Sequence, residues 1–240
     1  EILPSDWSSD VCSSDLYFIL ILFATLLFAG CNGSAPNYAL LSGEITHPNG
    51  ANLNIINDSG KVVRKIAVGE NGLFADTIFN ADGYYTLHDG KEMTTLFLKG
   101  GYALDLKLDA AEFDETLVYA GKGAEANNYL AQKFLSNETE LGDLKSLFGL
   151  DEAAFLEKSN AAYTSLVEKL KGLPKAFTKA EEKNLQYENA LRLMQYKSYH
   201  PFISGDKDFK VSENFPNPMA DIPTNDEAAF AHNQIGRAHV

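Results

Sequence analysis

A chain of 240 residues that is 45% hydrophobic and 11% aromatic is ordinary globular material, long enough for one large domain or two small ones. Its net charge is −13, with acidic residues dispersed and lysines and arginines unclustered, which argues against nucleic acid as a partner, because phosphates need concentrated positive charge. Only two cysteines, Cys12 and Cys31, are present, which leaves little room for thiol chemistry.

The opening residues 1–16 include Asp6-Trp-Ser-Ser-Asp-Val-Cys-Ser-Ser-Asp-Leu16, a run with neither strand nor helix periodicity. It resembles a short-read sequencing adapter translated in frame. The terminal Ile235-Gly-Arg-Ala-His-Val240 resembles the opposite adapter strand, whose next codon in that frame is a stop. Residues 1–16 and 235–240 are therefore expected to be foreign, and the native protein is expected to continue past Gln234. Setting aside Glu1, Asp6, Asp10, Asp15 and Arg237 leaves 29 acidic and 19 basic side chains, a net charge of −10. Cys12 falls in the foreign run. Cys31 is then the single native thiol, and no disulfide, Cys-x-x-Cys pair or thiolate metal site can be built from one cysteine.

Residues 17–31 supply another role for it. Tyr17 to Ala29 is an uncharged apolar run, too short for a bilayer span of about 20 residues but suited to the hydrophobic region of an export signal. It ends in Leu27-Phe28-Ala29-Gly30-Cys31, which resembles the bacterial lipobox, in which small residues precede a cysteine that is diacylated and becomes the new N-terminus. Phe28 stands where the usual leucine would be. The competing reading is a buried strand or core helix with a structural cysteine. Residues 32–37, Asn-Gly-Ser-Ala-Pro-Asn, form a polar tether. Lipid attachment at Cys31 is the expectation, with a membrane as partner through that anchor. Asn32 is not the inner-membrane retention aspartate of the best-known Gram-negative systems, so the expected location is the cell envelope, on an outer membrane and facing the periplasm.

Residues 38–121 read as a β-sandwich. Short alternating runs, at 39–46, 53–57, 62–68, 73–79, 84–88, 94–98, 102–108 and 116–120, are separated by turns such as Asn49-Gly50, Asn71-Gly72 and Asp82-Gly83, which favour tight hairpins. In Leu104-Asp-Leu-Lys-Leu108 three leucines face one side and Asp105 and Lys107 the other, the mark of a half-wetted, antiparallel sheet. Residues 122–234 switch to a helical period. A helix is expected over 124–136. A second is capped by Asp151 and stopped at Gly172-Leu-Pro174. A third opens at the capping box Thr178-Lys-Ala-Glu181 and ends at Pro201. A polar loop over 204–223 precedes another box, Thr224-Asn-Asp-Glu227. The expected class is α+β, an N-terminal antiparallel β-sandwich followed by an all-α helical segment.

No catalytic, metal or cofactor site emerges. Gly121-Lys-Gly-Ala-Glu-Ala-Asn127 lacks the third glycine of a dinucleotide loop and more simply ends a strand and opens a helix. His47, His88, His200 and His232 include no i,i+4 pair for a metal, and the first three adjoin turn residues or proline, which places them on the surface. Glu112, Asp114 and Glu115 read as solvated turn carboxylates, and Met194 with the tyrosines around it as helix core.

The run Gly83 to Tyr102, with Phe113-Asp-Glu-Thr116 and Gly121-Lys-Gly-Ala-Glu-Ala-Asn-Asn-Tyr-Leu130, resembles the N-terminal region of thioredoxin-like lipoproteins of Bacteroidota. The resemblance spans roughly residues 39–130, and the helices beyond match by architecture only. It implies a lipidated N-terminus, a β-sandwich, helices, and then a thioredoxin domain with Cys-x-x-Cys that this chain does not include. It therefore implies no catalytic residue at any position here. The expected function is the non-catalytic, membrane-anchoring accessory half of a thiol–disulfide oxidoreductase, whose partners would include protein disulfide substrates of the absent domain. The alternative is an envelope lipoprotein whose sandwich binds a glycan or peptide, with Tyr84, Tyr85 and Tyr102 as the clustered aromatics; a purely structural envelope lipoprotein is the third reading.

Overall fold

The computed structural model describes residues 36–220. The readings for residues 1–16, the apolar run with Cys31, the tether up to Ala35, the Thr224–Glu227 box, His232 and residues 235–240 lie outside the described residues. Within them the chain is α+β, a two-sheet sandwich followed by helices. The strands are β1 (Tyr38–Thr46), β2 (Asn52–Asn57), β3 (Val62–Ala67), β4 (Leu73–Phe79), β5 (Asp82–His88), β6 (Met93–Lys99), β7 (Ala103–Asp109) and β8 (Val118–Lys122). A one-turn helix α1 (Phe113–Thr116) precedes β8, and α2 (Ala124–Leu141), α3 (Leu144–Phe148), α4 (Glu152–Lys169) and α5 (Lys175–Ser204) follow.

The first sheet has the order β4-β1-β7-β8 and the second β3-β2-β5-β6. Alternation decides which side chains face inward: Ala39, Leu41 and Ile45 of β1 and Leu104, Leu106 and Leu108 of β7 meet Leu53, Ile55, Leu87, Leu96 and Leu98 from the second sheet. Each such leucine or isoleucine stabilises by about 1.5–3 kcal/mol on burial. The expectation of purely antiparallel pairing needs one correction, because β1 and β7 run parallel, with Leu41 opposite Leu104 and Ile45 opposite Leu108. The whole second sheet, together with β4, is the crossover that a parallel pair requires. The two strands approach closely enough that a Cβ on Gly43 would sit 2.2 Å from the Leu106 carbonyl oxygen.

The sandwich has two open sides, and each is closed differently. At the β3–β4 side Arg64 forks onto Asp76, Nε to Oδ2 at 2.7 Å and Nη2 to Oδ1 at 2.5 Å, tying the edge strand of one sheet to that of the other. At the β6–β8 side α2 lies along both edges. The buried Asn127 side chain accepts the Phe97 amide and donates to the Phe97 carbonyl, each at 2.9 Å. Its neighbour Asn128 accepts the Tyr119 amide and donates to the Tyr119 carbonyl, each at 2.8 Å. Two successive asparagines thus supply to β6 and β8 the hydrogen bonds that a further strand would have made.

The helices bury two further clusters. Phe97, Ala126, Tyr129, Leu166, Leu170, Phe177 and Leu185 join the outer face of the second sheet to α2, α4 and α5. Leu147, Phe148, Phe155, Leu193, Tyr196 and Phe215 fill the space at the far end of α5. Asp151 caps α4 as the pattern implies, accepting the Ala154 amide at 2.9 Å. Several local readings change. The first helix runs on to Leu141, and α3, capped by Asp143, was not anticipated. The eighth strand, expected over 116–120, runs over Val118–Lys122, and Thr116 instead closes α1, its hydroxyl turned back to the Glu112 carbonyl at 2.6 Å. Helix α5 starts at Lys175, so Thr178-Lys-Ala-Glu181 is not a capping box; the Thr178 hydroxyl bonds back to Pro174 and Leu173, and Glu181 is drawn inward. Pro201 does not end α5. The last turn is held in place by His200, whose Nδ1 lies 2.9 Å from the Phe148 carbonyl oxygen, and Gly205 in the left-handed region ends the helix. His200 is accordingly buried against Tyr196 and Phe209, contrary to the surface position expected of it, whereas His47 is exposed beside Asp109.

The asparagine clamp makes a specific expectation. Replacing Asn127 by Ala leaves the Phe97 amide and carbonyl buried without partners and should cost about 2–4 kcal/mol. Urea unfolding reads this as a lower midpoint at an unchanged slope, with Asn128→Ala, at the half-buried edge, costing less.

Candidate functional site

The outer face of the second sheet carries the residue pairs Tyr84–Phe97, Thr86–Thr95 and His88–Met93 on β5 and β6. The first pair is covered. Phe97 meets Tyr84 and Phe177 with ring centroids 5.1 Å apart in each case, and Phe177 meets Tyr129 at 5.5 Å. Tyr84 also lines, with Tyr85, Thr86, Thr95 and Met93, a cleft of about 450 Å³ walled by Lys133, Phe134 and Asn137 of α2 and by Glu181, Asn184 and Glu188 of α5. Asn57, Asp58 and Asp114 complete its rim.

A buried ionic network lies in the wall. Lys133 Nζ is 2.7 Å from Glu181 Oε1 and 2.6 Å from Glu188 Oε1. Glu181 is wholly buried and also accepts the Tyr84 hydroxyl at 2.7 Å and the Asn184 amide at 3.1 Å. Three donors from three elements thus satisfy one carboxylate, the condition under which a buried charge is tolerated. Burial works against the charge on Lys133, but the carboxylates of Glu188 and Glu181 outweigh it and hold the ammonium above its ordinary range. Burial, reinforced by the Glu181 charge, pushes the Tyr84 phenol well above its ordinary range.

These protonation states decide what the cluster can do. A lysine nucleophile must lose its proton near neutral pH, and Lys133 is held charged. A tyrosine acid or base must exchange one, and Tyr84 is held neutral. By its contacts the network is a polar pin between sheet and helices, joining β5, α2 and α5. One turn further along, Asn137 Oδ1 and Arg192 Nη1 are buried without hydrogen-bond partners, and burial lowers the Arg192 value against the opposing pull of Glu188.

The residues singled out in the sequence scatter. Tyr84 and Tyr102 pack into the seam with the helices, and Tyr85 leans toward the sandwich core, so the three do not form an exposed aromatic platform. Glu112 and Glu115 are exposed, while Asp114 is half-buried at the cleft rim, its carboxyl raised by burial and by Glu138, Glu115 and Glu92. Gly121 and Gly123 do end β8 and open α2. Of the α5 residues expected in the core, Tyr187 and Tyr196 are buried, but Met194 and Tyr199 are exposed. Cys31 lies outside the described residues. Among the described residues no group of three His, Cys, Asp or Glu could hold a metal, and no helix is long and apolar enough to cross a membrane. Sequence reasoning missed Lys133, Glu181 and Glu188. The available signal was Phe177, Glu181, Leu185, Glu188 and Arg192 recurring on one α5 face, which sets charges inside an apolar stripe.

No protein-family model matches the chain, and no curated protein matches it. Among solved structures, a DUF3823 family protein from Parabacteroides merdae is similar at 24% identity with a TM-score of 0.23, over 31% of this chain and 46% of that one. So loose a superposition carries no argument about fold or function.

Two measurements test the pin. Lys133→Met strands the buried Glu181 carboxylate and should cost about 3–5 kcal/mol, while Lys133→Met combined with Glu181→Leu should recover part of that loss. Lys133 and Tyr84 also hold their protons more tightly when folded than the ordinary values of 10.5 and 10.0. Their contribution is complete below those values and is lost as pH rises above them, because only the unfolded chain then releases protons. The melting temperature should fall above pH of about 10, and Tyr84→Phe should make that fall shallower.

Proposed function

We propose that this chain is the membrane-anchoring, non-catalytic accessory region of a thioredoxin-like thiol–disulfide oxidoreductase lipoprotein of the cell envelope. Cys31 is the diacylated residue, residues 32–37 are the tether, and the body from β1 onward is a spacer and platform. A thioredoxin domain beyond Gln234 in the native protein supplies the attacking thiolate and its resolving partner. The observation that carries this reading is the use to which the resembling stretch is put. Gly83–Tyr102 and Gly121–Leu130 hold β5, β6, Asn127 and Asn128, the parts that weld sandwich to helices, and residues 37–234 contain no cysteine. The partners that follow are a membrane, through the anchor, and protein disulfides, through the further domain. With Asn32 and not an aspartate after the lipidated cysteine, the location that goes with this reading is an outer membrane, facing the periplasm.

A second reading is favoured by the open cleft over Thr86 and Thr95. Its hydroxyl, amide and carboxylate lining, with Tyr84, Tyr85 and the exposed Phe134 among it, suits an extended peptide or a glycan.

The test compares the product of the complete native gene with residues 37–234 alone in an insulin-reduction assay. Activity in the first and none in the second is the expected result. Inactivity of both would leave the binding reading ahead, and reduction by the cysteine-free fragment would overturn the account. Separately, Cys31→Ser should abolish labelling by a palmitate analogue and release the protein from membranes; unchanged retention would sink the lipoprotein reading.

A further inference from the structure

The two ends of the sandwich differ in a way that bears on how an anchored body meets its membrane. The chain enters β1 beside the β6–β7 turn, where a Cβ on Gly100 would lie 2.2 Å from the Pro36 carbonyl oxygen. Five peptide units separate Cys31 from Pro36, a reach of at most about 18 Å. The strand ends gathered at this side are the start of β1, the end of β4, the start of β3 and the end of β8, as the pairings Tyr38–Phe79 and Ala103–Lys122 require. They present Phe79, 63% exposed, with Val62 and Val63 beside it around one surface hollow; the opposite end exposes Leu73, Met93 and Val118, so charge and the entry of the chain, not apolar exposure alone, distinguish the two ends. Tyr38 packs edge-on against Phe79 at 6.2 Å.

Charge divides along the same axis. At this end Lys61, Arg64, Lys99 and Lys122 stand against Asp58, Asp76, Asp82 and Glu125, and two of these acids are paired, Asp76 with Arg64 and Asp82 with Lys99. At the opposite end lie Glu44, Glu70, Glu92, Asp109, Glu112 and Glu115 with the buried Asp89, against Lys91 and Lys107; here too two acids have partners, Glu92 with Lys91 and Asp109 beside His47, but acids outnumber bases. A phospholipid surface bearing anionic lipids repels the second end and tolerates the first. Aromatic and aliphatic side chains flanked by lysines are the composition that sits at a bilayer interface, the rings at headgroup level and the lysine stems reaching outward.

We propose that the Phe79–Val62–Val63 end of the sandwich rests on the phospholipid surface, so that the acyl anchor and this patch fix the orientation of the body together. The proposal rests on the lipoprotein reading of Cys31. One anchor alone leaves a tethered domain free to tumble, and a second, weak contact restricts it by raising the effective concentration of the patch at the surface.

The experiment uses the acylated chain, in which cleavage before Cys31 has removed Trp7, the single tryptophan of the sequence. Phe79→Trp and Leu73→Trp place one reporter at each end of β4, both outward-facing and about 20 Å apart along the strand. Palmitate-analogue labelling is measured first, and absence of label would remove the lipoprotein reading itself. The labelled proteins are then bound to phosphatidylcholine vesicles containing phosphatidylglycerol and a headgroup-level spin-labelled lipid. Quenching several-fold stronger at position 79 than at position 73, with a blue shift at 79, is the expected result, and Val62→Trp should follow 79. Equal quenching at the two ends in a labelled protein would overturn the proposal. So would a blue shift at 79 that depends on protein concentration and not on lipid, which would assign the patch to a second copy of the chain.

Discussion

An edge strand leaves a row of amide and carbonyl groups that must be paired, covered or wetted, and a sandwich of two open sheets has four such edges. Here the β6 and β8 edges are completed by two adjacent side chains, Asn127 and Asn128, each taking both backbone groups of one residue. Much else depends on this constraint. Once Asn127 is bound to Phe97 the first turns of α2 lie against the sandwich, Tyr129 and Leu130 face outward to the helices, and α4 and α5 have a surface to pack on. An aspartate at either position could accept but not donate, and an apolar residue could do neither.

The polar pin belongs to the same seam. Aromatic packing of Tyr84, Phe97, Tyr129 and Phe177 brings sheet and helices together without fixing their register, since ring contacts tolerate sliding. Lys133 with Glu181, Glu188 and Tyr84 supplies directional contacts among β5, α2 and α5. The chemistry-bearing side chains of the wall are spent on holding the joint, while the neighbouring cleft keeps hydroxyls, amides and a phenyl ring facing solvent.

How much of this was legible follows from where the information resides. Strand alternation and glycine turns are local, so β1 to β7 fall within a residue or two of their sequence positions, and Asp151 caps α4 because an N-cap needs only its own next turn. Some failures are local, such as α3 with its Asp143 cap and the one-turn α1, but the larger ones are cases where a distant partner overrules the local pattern. Thr178 and Glu181 have the spacing of a cap, but Lys133 and Tyr84 offer Glu181 more than a helix terminus would. His200 beside Pro201 looks like a helix end at the surface until the Phe148 carbonyl and two rings enclose it. The strict alternation of Leu104 to Leu108 fixes which side is wet, but the direction of the neighbouring strand is a property of topology. For the same reason Asn127 and Asn128 read as ordinary helix polar residues although they complete two sheets.

The parallel pairing of β1 with β7 carries a consequence for the order of assembly. Among the described residues β1 is the first strand to be synthesised, and it lies inside its sheet, between β4 and β7. As the chain emerges N-terminus first, β1 can meet β4 early as an antiparallel partner, but Leu41 cannot reach Leu104 until β5 and β6 have been made and turned back. Contacts of such long sequence separation close late because the entropy of the intervening loop must be overcome first. For as long as that takes, one flank of β1 offers unpaired backbone to any extended chain nearby.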